Sequence, residues 1–234
     1  MSEKIFLPQV TINTGKNLPP ETHLLLLGGR PPQKEGLAAL LAAQKKRPTF
    51  WAVDRGVDIC RENLLAPELL IGDADSASTA GWAWGQQTAA VTERHPTEKD
   101  LTDTELALAR TASKDTLVLL TGAFGGRFDH AFSTVFSTAY DLHICILADE
   151  KEILLFVKSG ESVMLDFTHR PLAISTLPLT ETVTGVTLRG THWTLTSATL
   201  TQKLPSAVSN MLEAGSHTLT VQCETGILGI ELIF

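Results

Sequence analysis

Cysteine is scarce in this 234-residue chain: Cys60, Cys145 and Cys223 are the three present and lie far apart. With no Cys-x-x-Cys pair, zinc and dithiol redox chemistry have little footing, and buried free thiols in a reducing compartment are the expected state. No apolar run reaches the roughly 18 residues that cross a bilayer. The start, Met1-Ser2-Glu3-Lys4-Ile5-Phe6, lacks the long apolar core of a secretion signal, so a cytoplasmic, membrane-free protein is expected. A long basic block is also missing. A net charge of −7 with no such block argues against a nucleic-acid partner. The turn Gly28-Gly29-Arg30-Pro31-Pro32 lacks the Gly-Lys-Ser/Thr ending of a P-loop. No internal repeat or low-complexity tract is visible.

What is present suits one large or two modest globular domains: 43% of residues are hydrophobic and 19% are charged. Residues 1–21 read as an N-terminal arm in which Val10-Thr11-Ile12 offers a short strand. From 22 to 149, apolar runs alternate with helical patterns. Strands are expected at 23–27, 50–53, 69–71, 89–92, 117–120 and 144–147. Helices are expected around Leu37–Leu41 (ending by Pro48), 57–63, from just after Asp100 to about 113, and 129–140. Close alternation of this kind predicts a parallel sheet covered on both faces, a Rossmann-like α/β domain. Right-handed crossovers then bring the loops after the strands to one edge. Trp82 and Trp84 fall in a segment expected to be core. After residue 150 helical periodicity disappears. Seven β-rich runs follow, at 153–157, 162–167, 172–177, 182–188, 192–195, 217–222 and 227–234, the pattern of an antiparallel β-sandwich domain.

Three stretches carry the chemistry. The first is Leu69-Leu70-Ile71-Gly72-Asp73-Ala74-Asp75-Ser76. A buried strand ends in a glycine turn, and two carboxylates follow at alternate positions, on one side of an extended backbone. Adjacent carboxylates repel unless a hard divalent cation neutralises them; the competing reading is an acidic turn capped by Ser76. In the second, His95-Pro96-Thr97-Glu98-Lys99-Asp100-Leu101-Thr102-Asp103, acids and a lysine crowd a helix start. Capping by Asp100 and Asp103 accounts for the acids; a phosphate site at the helix N-terminus also accounts for Lys99. The third, Thr121-Gly122-Ala123-Phe124-Gly125-Gly126-Arg127-Phe128-Asp129-His130, is a glycine-rich turn into a helix capped by Asp129, with Arg127 offering a planar fork to phosphate oxygens.

In this order and spacing the three stretches resemble the thiamine pyrophosphokinase family, with its Gly-Asp-x-Asp-Ser, Lys-Asp-x-Thr-Asp and Gly-Gly-Arg-x-Asp-His motifs. The resemblance covers nearly the whole chain after about residue 22. It implies Mg²⁺-dependent transfer of a pyrophosphoryl group from ATP to the thiamine hydroxyl, giving thiamine diphosphate and AMP. By that resemblance Asp73, Asp75 and Asp100 are the metal ligands, and Arg127 joins them in catalysis. The nucleotide side comprises Gly29, Arg30, Asp54, Lys99, Thr102, Asp103, Gly125, Gly126, Arg127, Asp129 and His130. The hydroxyl proton goes to Asp100, to Asp103 or to no base at all. Trp193, within Gly190-Thr191-His192-Trp193-Thr194-Leu195, stands either as a half-buried sandwich residue or, as the resemblance implies, as a thiamine-stacking face, with Ser209-Asn210 beside it. The resemblance further implies a homodimer whose thiamine sites are shared between chains. One departure is visible: the family usually has Asp-Gly-Gly after its second strand, and this chain has Asp54-Arg55-Gly56. The rival readings are a non-catalytic thiamine or nucleotide sensor on the same scaffold, or a Mg-dependent nucleotide transferase with another acceptor.

Overall fold

The computed structural model describes residues 4–111, 115–204 and 206–234. It opens with two short strands, β1 (Lys4–Phe6) and β2 (Val10–Asn13). Strands and helices then alternate: β3 (Glu21–Leu26), α1 (Lys34–Ala43), β4 (Thr49–Val53), α2 (Gly56–Glu62), β5 (Leu69–Gly72), α3 (Thr79–Thr88), β6 (Val91–Arg94), α4 (Asp103–Thr111), β7 (Thr116–Thr121), α5 (Phe128–Ala139) and β8 (Cys145–Ala148). Seven strands complete the chain: β9 (Glu152–Lys158), β10 (Ser162–Phe167), β11 (Ala173–Pro178), β12 (Thr182–Arg189), β13 (Leu195–Thr201), β14 (Thr218–Gln222) and β15 (Ile227–Ile233). Among the described residues no helix is long and apolar enough to cross a membrane. Cys60, Cys145 and Cys223 are buried and form no disulfide, and burial pushes the Cys60 thiol up to about 12.

The chain divides into two compact units. The α/β unit comprises Pro19–Leu41 and Lys45–Asp149. Its parallel strands lie in the order β8-β7-β3-β4-β5-β6. Every residue of β5 and β7 is buried, as a sheet covered on both faces requires, and α2 packs on α3 while α4 packs on α5. Trp82 of α3 is in this core, and Trp84 is half-buried. The chain begins at the central β3, steps out to β6, then returns to β7 on the other side of β3. The strand order therefore reverses between β3 and β7. Beyond that point the loops stay hydrogen-bonded: Leu27 N donates to Thr121 O at 2.8 Å and Gly29 N to Gly122 O at 2.7 Å. A switch point of this kind opens a crevice at the strands' carboxyl ends.

The β unit holds the described residues up to Leu18, Ala42–Gln44 and Glu150–Phe234. Its sheets are antiparallel, one in the order β1-β2-β10-β14-β12-β13 and one in the order β11-β15-β9. Alternation is clear in β10, where Val163, Leu165 and Phe167 are buried and Ser162, Met164 and Asp166 face solvent. The expected N-terminal arm is not separate from it. Val10 to Asn13 pair with Phe167 to Met164, and the alternately buried Val10 and Ile12 complete that sheet's core. Other expectations also shift. The strand expected at 192–195 lies at β13 instead, and His192 and Trp193 occupy the bend before it. Ser78, not Ser76, caps α3, accepting from Gly81 N at 2.9 Å. Helix α4 begins at Asp103 rather than directly after an Asp100 cap, because Thr102 and Glu105 form a capping box. Thr102 Oγ1 accepts from Glu105 N at 3.2 Å, and Glu105 Oε2 accepts from Thr102 N at 2.7 Å. The helix end expected at Ser113 lies outside the described residues. Asp129 does not cap α5 either; the cap is Arg127, and Asp129 sits in the first turn.

Candidate active site

At the switch point of the α/β unit lies a cleft of about 400 Å³, lined by the loops after β3, β4, β5 and β7, by the start of α4 and by one face of α5. Its floor is acidic. Asp54, Asp73 and Asp103 each offer a carboxylate oxygen, and these oxygens lie within 4.8 Å of one another. Asp54 Oδ1 is buried without a hydrogen-bond partner among the described residues, and Asp103 Oδ1, also buried, has only the Lys99 ammonium at 3.2 Å. Buried oxygens without donors are costly, and a hard cation is the ligand that satisfies several of them together. The donor set fits a divalent metal.

Backbone shape aims these acids. Asp54 and Ala74 adopt left-handed φ values of 47° and 69°. The Ala74 conformation is unfavourable for an L residue, and such strain clusters at functional sites. The backbone between Asp73 and Asp75 is thus a tight turn, not the extended run expected. Asp73 Oδ1 accepts from Asp75 N at 3.1 Å, and both acids still line the cleft. Ser76 donates its hydroxyl to Asp54 Oδ2.

Lys99 supplies the internal counter-charge. Its Nζ is 2.7 Å from Asp73 Oδ2 and 3.2 Å from Asp103 Oδ1, with the lysine side chain only 15% exposed. Burial pulls the Asp73 carboxyl upward, but the Lys99 hydrogen bond and the Asp75 N–H outweigh it and hold the group below its ordinary value. Burial and the Asp73 charge raise Asp75. The Lys99–Asp103 pair reads differently from its two ends. Burial works to lower Lys99, yet the two carboxylates keep it above its usual value. Asp103 is itself raised, because burial, with the added repulsion of Asp73 and Asp54, exceeds the help from one shared lysine. The geometry supports both directions: one cation divided between two acids satisfies itself better than it satisfies either acid.

Opposite the acids stands the glycine turn. Gly125 and Gly126 carry consecutive φ values of +66° and +69°, which side-chain-bearing residues rarely adopt. A Cβ on Gly29 would fall 2.5 Å from Gly122 O and 2.6 Å from Phe124 O, so only glycine lets the two loops meet. Arg127 and His130 line the cleft. Asp129 grips the Arg127 guanidinium at 2.6 and 3.1 Å, and that contact lowers the Asp129 carboxyl to about 2.

Two expected residues fall outside. Asp100 is exposed and lines no part of the cleft; the helix register set by Thr102 brings in Asp103 instead. Arg30 is turned away: its Nη2 and Nε reach Asp149 Oδ2 at 2.6 and 3.2 Å, with the Asp149 side chain fully buried, and its guanidinium lies over Phe124 at 5.9 Å. Arg30 thus ties the loop after β3 to the residue that follows β8. Arg55 lines the cleft, and its place directly after Asp54 was the available sequence signal.

In the β unit, Trp193 is 57% exposed, with the His192 ring edge-on at 4.5 Å. Asn210 clamps its backbone, donating Nδ2 to Trp193 O at 2.7 Å and accepting from Trp193 N at 3.2 Å. Ser209 N donates to Ser175 Oγ at 3.1 Å. Trp193 and Asn210 are therefore one arrangement, with the indole left open to solvent.

A switch-point cleft combining clustered carboxylates, a lysine and a glycine turn, in a chain that also carries an antiparallel β unit, defines a two-unit α/β-plus-β class. Comparison with family models is specific within it. Residues 41–147 match "Thiamin pyrophosphokinase, catalytic domain" and residues 165–228 match "Thiamin pyrophosphokinase, vitamin B1 binding domain". The chain belongs to the thiamin pyrophosphokinase family. Comparison with curated proteins yields no match. Solved structures agree on the fold. A thiamine pyrophosphokinase from Bacillus subtilis is 22% identical, with 91% of this chain and 99% of that chain covered and a TM-score of 0.77. One from Geobacillus thermodenitrificans is 28% identical over 91% and 97%, with a TM-score of 0.74. One from Candida albicans is 15% identical over 92% and 90%, with a TM-score of 0.73.

Proposed function

We propose that this chain is an ATP-dependent, Mg²⁺-requiring thiamine pyrophosphokinase. The observation that carries the reading is the set of carboxylate oxygens of Asp54, Asp73 and Asp103 within 4.8 Å, with Asp54 Oδ1 buried without a partner among the described residues, in a cleft also lined by a glycine turn. Asp54, Asp73 and Asp103 would hold the divalent cation, with Asp75 beside them. When bound, the cation supplies charge neutralisation at the phosphate oxygens. The remaining work belongs to the chain. Backbone N–H groups of Gly125 and Gly126 approach the phosphates, and Arg127, oriented by Asp129, and Lys99 steady the growing negative charge.

In the proposed step the thiamine hydroxyl oxygen attacks the β-phosphorus of ATP. A new P–O bond forms, the α–β bridging P–O bond breaks, AMP leaves, and the hydroxyl proton passes to a carboxylate. Of the two acids considered from sequence, Asp103 is the one in the cleft. Trp193 is assigned to thiamine, its exposed indole being free to stack on a flat cationic ring. The proposed assembly is a homodimer with sites shared between chains. Mixing Asp73→Asn with Trp193→Ala chains after unfolding should then restore roughly a quarter of wild-type activity, since a two-fold dimer of the two variants leaves one site intact.

Paired substitutions test the site: Asp103→Asn should abolish AMP release and Asp100→Asn should spare it. The reverse result would sink the assignment of the acids.

A further inference from the structure

Three strong cations line the cleft: Arg55, Lys99 and Arg127. Two are already engaged by acids, Lys99 by Asp73 and Asp103, and Arg127 by Asp129. Among the described residues Arg55 has no acidic partner, and it is exposed. Its position is nevertheless fixed. A Cβ built on Gly28 would lie 2.8 Å from Arg55 Cβ and 3.6 Å from its Cγ and Cδ, so the Arg55 stem lies across Gly28. Its backbone, at φ −57° and ψ −19°, is the first helical step into α2. The residue before it, Asp54, belongs to the carboxylate cluster. A guanidinium rooted in this way opens into the cleft from the side of the loop after β3, with its donor fork unspent.

The lining carries Asp54, Asp73, Asp75 and Asp103 against those three cations. A polyanionic donor entering it is repelled unless a cation is available that the protein has not already neutralised. A guanidinium is suited to this, because its fork matches two phosphate oxygens at once. We infer that Arg55 is a specificity-determining contact for the donor nucleotide, binding the oxygens of its polyphosphate chain. This rests on the proposed function for the identity of the donor. The assignment to phosphate does not, since it concerns any polyphosphate in the cleft.

Arg55→Met keeps the stem over Gly28 and removes the charge; Arg55→Lys keeps the charge and removes the fork. With Mg²⁺ present, calorimetric binding of ATP and of inorganic tripolyphosphate, KM for ATP and for thiamine, and melting temperature are measured for each. The expected result for Arg55→Met is an unchanged melting temperature, an unchanged KM for thiamine, and roughly tenfold weaker binding of both ATP and tripolyphosphate, about the loss of one charge-assisted contact. Arg55→Lys should recover affinity to within about threefold of wild type, as a point charge without the fork. Unchanged tripolyphosphate binding in Arg55→Met overturns the inference. If ATP is weakened in that case, the guanidinium meets the base instead. Wild-type chain that makes no AMP from ATP and thiamine would refute the proposed reaction, and the tripolyphosphate titration would still decide the role of Arg55.

Discussion

Lys99→Met is the perturbation whose size the cleft geometry sets most directly. Lys99 is 2.7 Å from Asp73 and 3.2 Å from Asp103, and the three side chains are 15%, 6% and 18% exposed. Without it, carboxylate oxygens within 4.8 Å of each other face one another unscreened. At an effective dielectric of ~20, each such like-charge pair costs about 3.5 kcal/mol. Breaking a largely buried pair costs about 3–5 kcal/mol; the residual exposure favours the lower end, about 3 kcal/mol. For a chain of this length that lowers the melting temperature of the metal-free protein by about 6–12 °C. The sign with pH follows from Asp73. Its folded carboxyl is below 3.8 in the wild type, so its stabilising contribution is present above 3.8 and lost as pH falls through the folded value. In the variant the lysine is gone and the same carboxyl rises above 3.8. It then destabilises at neutral pH, and that effect disappears in acid. The deficit should therefore be full at pH 7 and narrow steadily toward pH 4, and saturating Mg²⁺ should recover more in the variant than in the wild type. Scanning calorimetry across that range is the assay. A variant within about 1 °C of wild type at pH 7, or a deficit that does not change with pH, would refute the reasoning.

Other perturbations separate the neighbouring groups. Asp75 is raised by burial and by Asp73, so Asp75→Asn should raise the metal-free melting temperature at pH 7, with the advantage fading as pH falls toward 3.8; Asp73→Asn, which discards a favourable pairing, should lower it. Both should abolish AMP release, and full activity in either would contradict the metal assignment. Gly29→Ala forces a Cβ to 2.5 Å from Gly122 O, and should cost about 2 kcal/mol in urea unfolding; a cost near zero would mean the two loops part freely. Thiamine should quench part of the tryptophan fluorescence, with Trp193→Phe keeping more thiamine affinity than Trp193→Ala; equal affinity in all three would return Trp193 to a purely structural role.

The sequence made the α/β unit legible because most of its strands are short apolar runs, as in Leu69–Gly72 and Leu117–Leu120, alternating with helical patterns. It also pointed to the cleft, since loops after parallel strands converge. The misreadings have definite causes. Two acids near a helix start both look like ligands or caps, and only Thr102-Asp103-Thr104-Glu105, a capping-box pattern, sets the register that admits Asp103 and leaves Asp100 outside. Arg30 sits beside two glycines, but its partner Asp149 is 119 residues away, and no local pattern announces that pairing. Likewise β2 alternates correctly, yet its partner β10 lies far along the chain. The run Leu195–Thr201 is mostly Thr and Ser with little apolar alternation, so β13 gave a weak signal, and the Trp193/Leu195 alternation drew the expected strand too early.

The central claim is a reaction, and AMP is its most direct product to measure. Purified chain incubated with ATP, Mg²⁺ and thiamine should release AMP and form thiamine diphosphate in equal amounts, with neither appearing when thiamine or Mg²⁺ is left out. AMP formed equally with and without thiamine, or ADP formed in its place, would contradict the account.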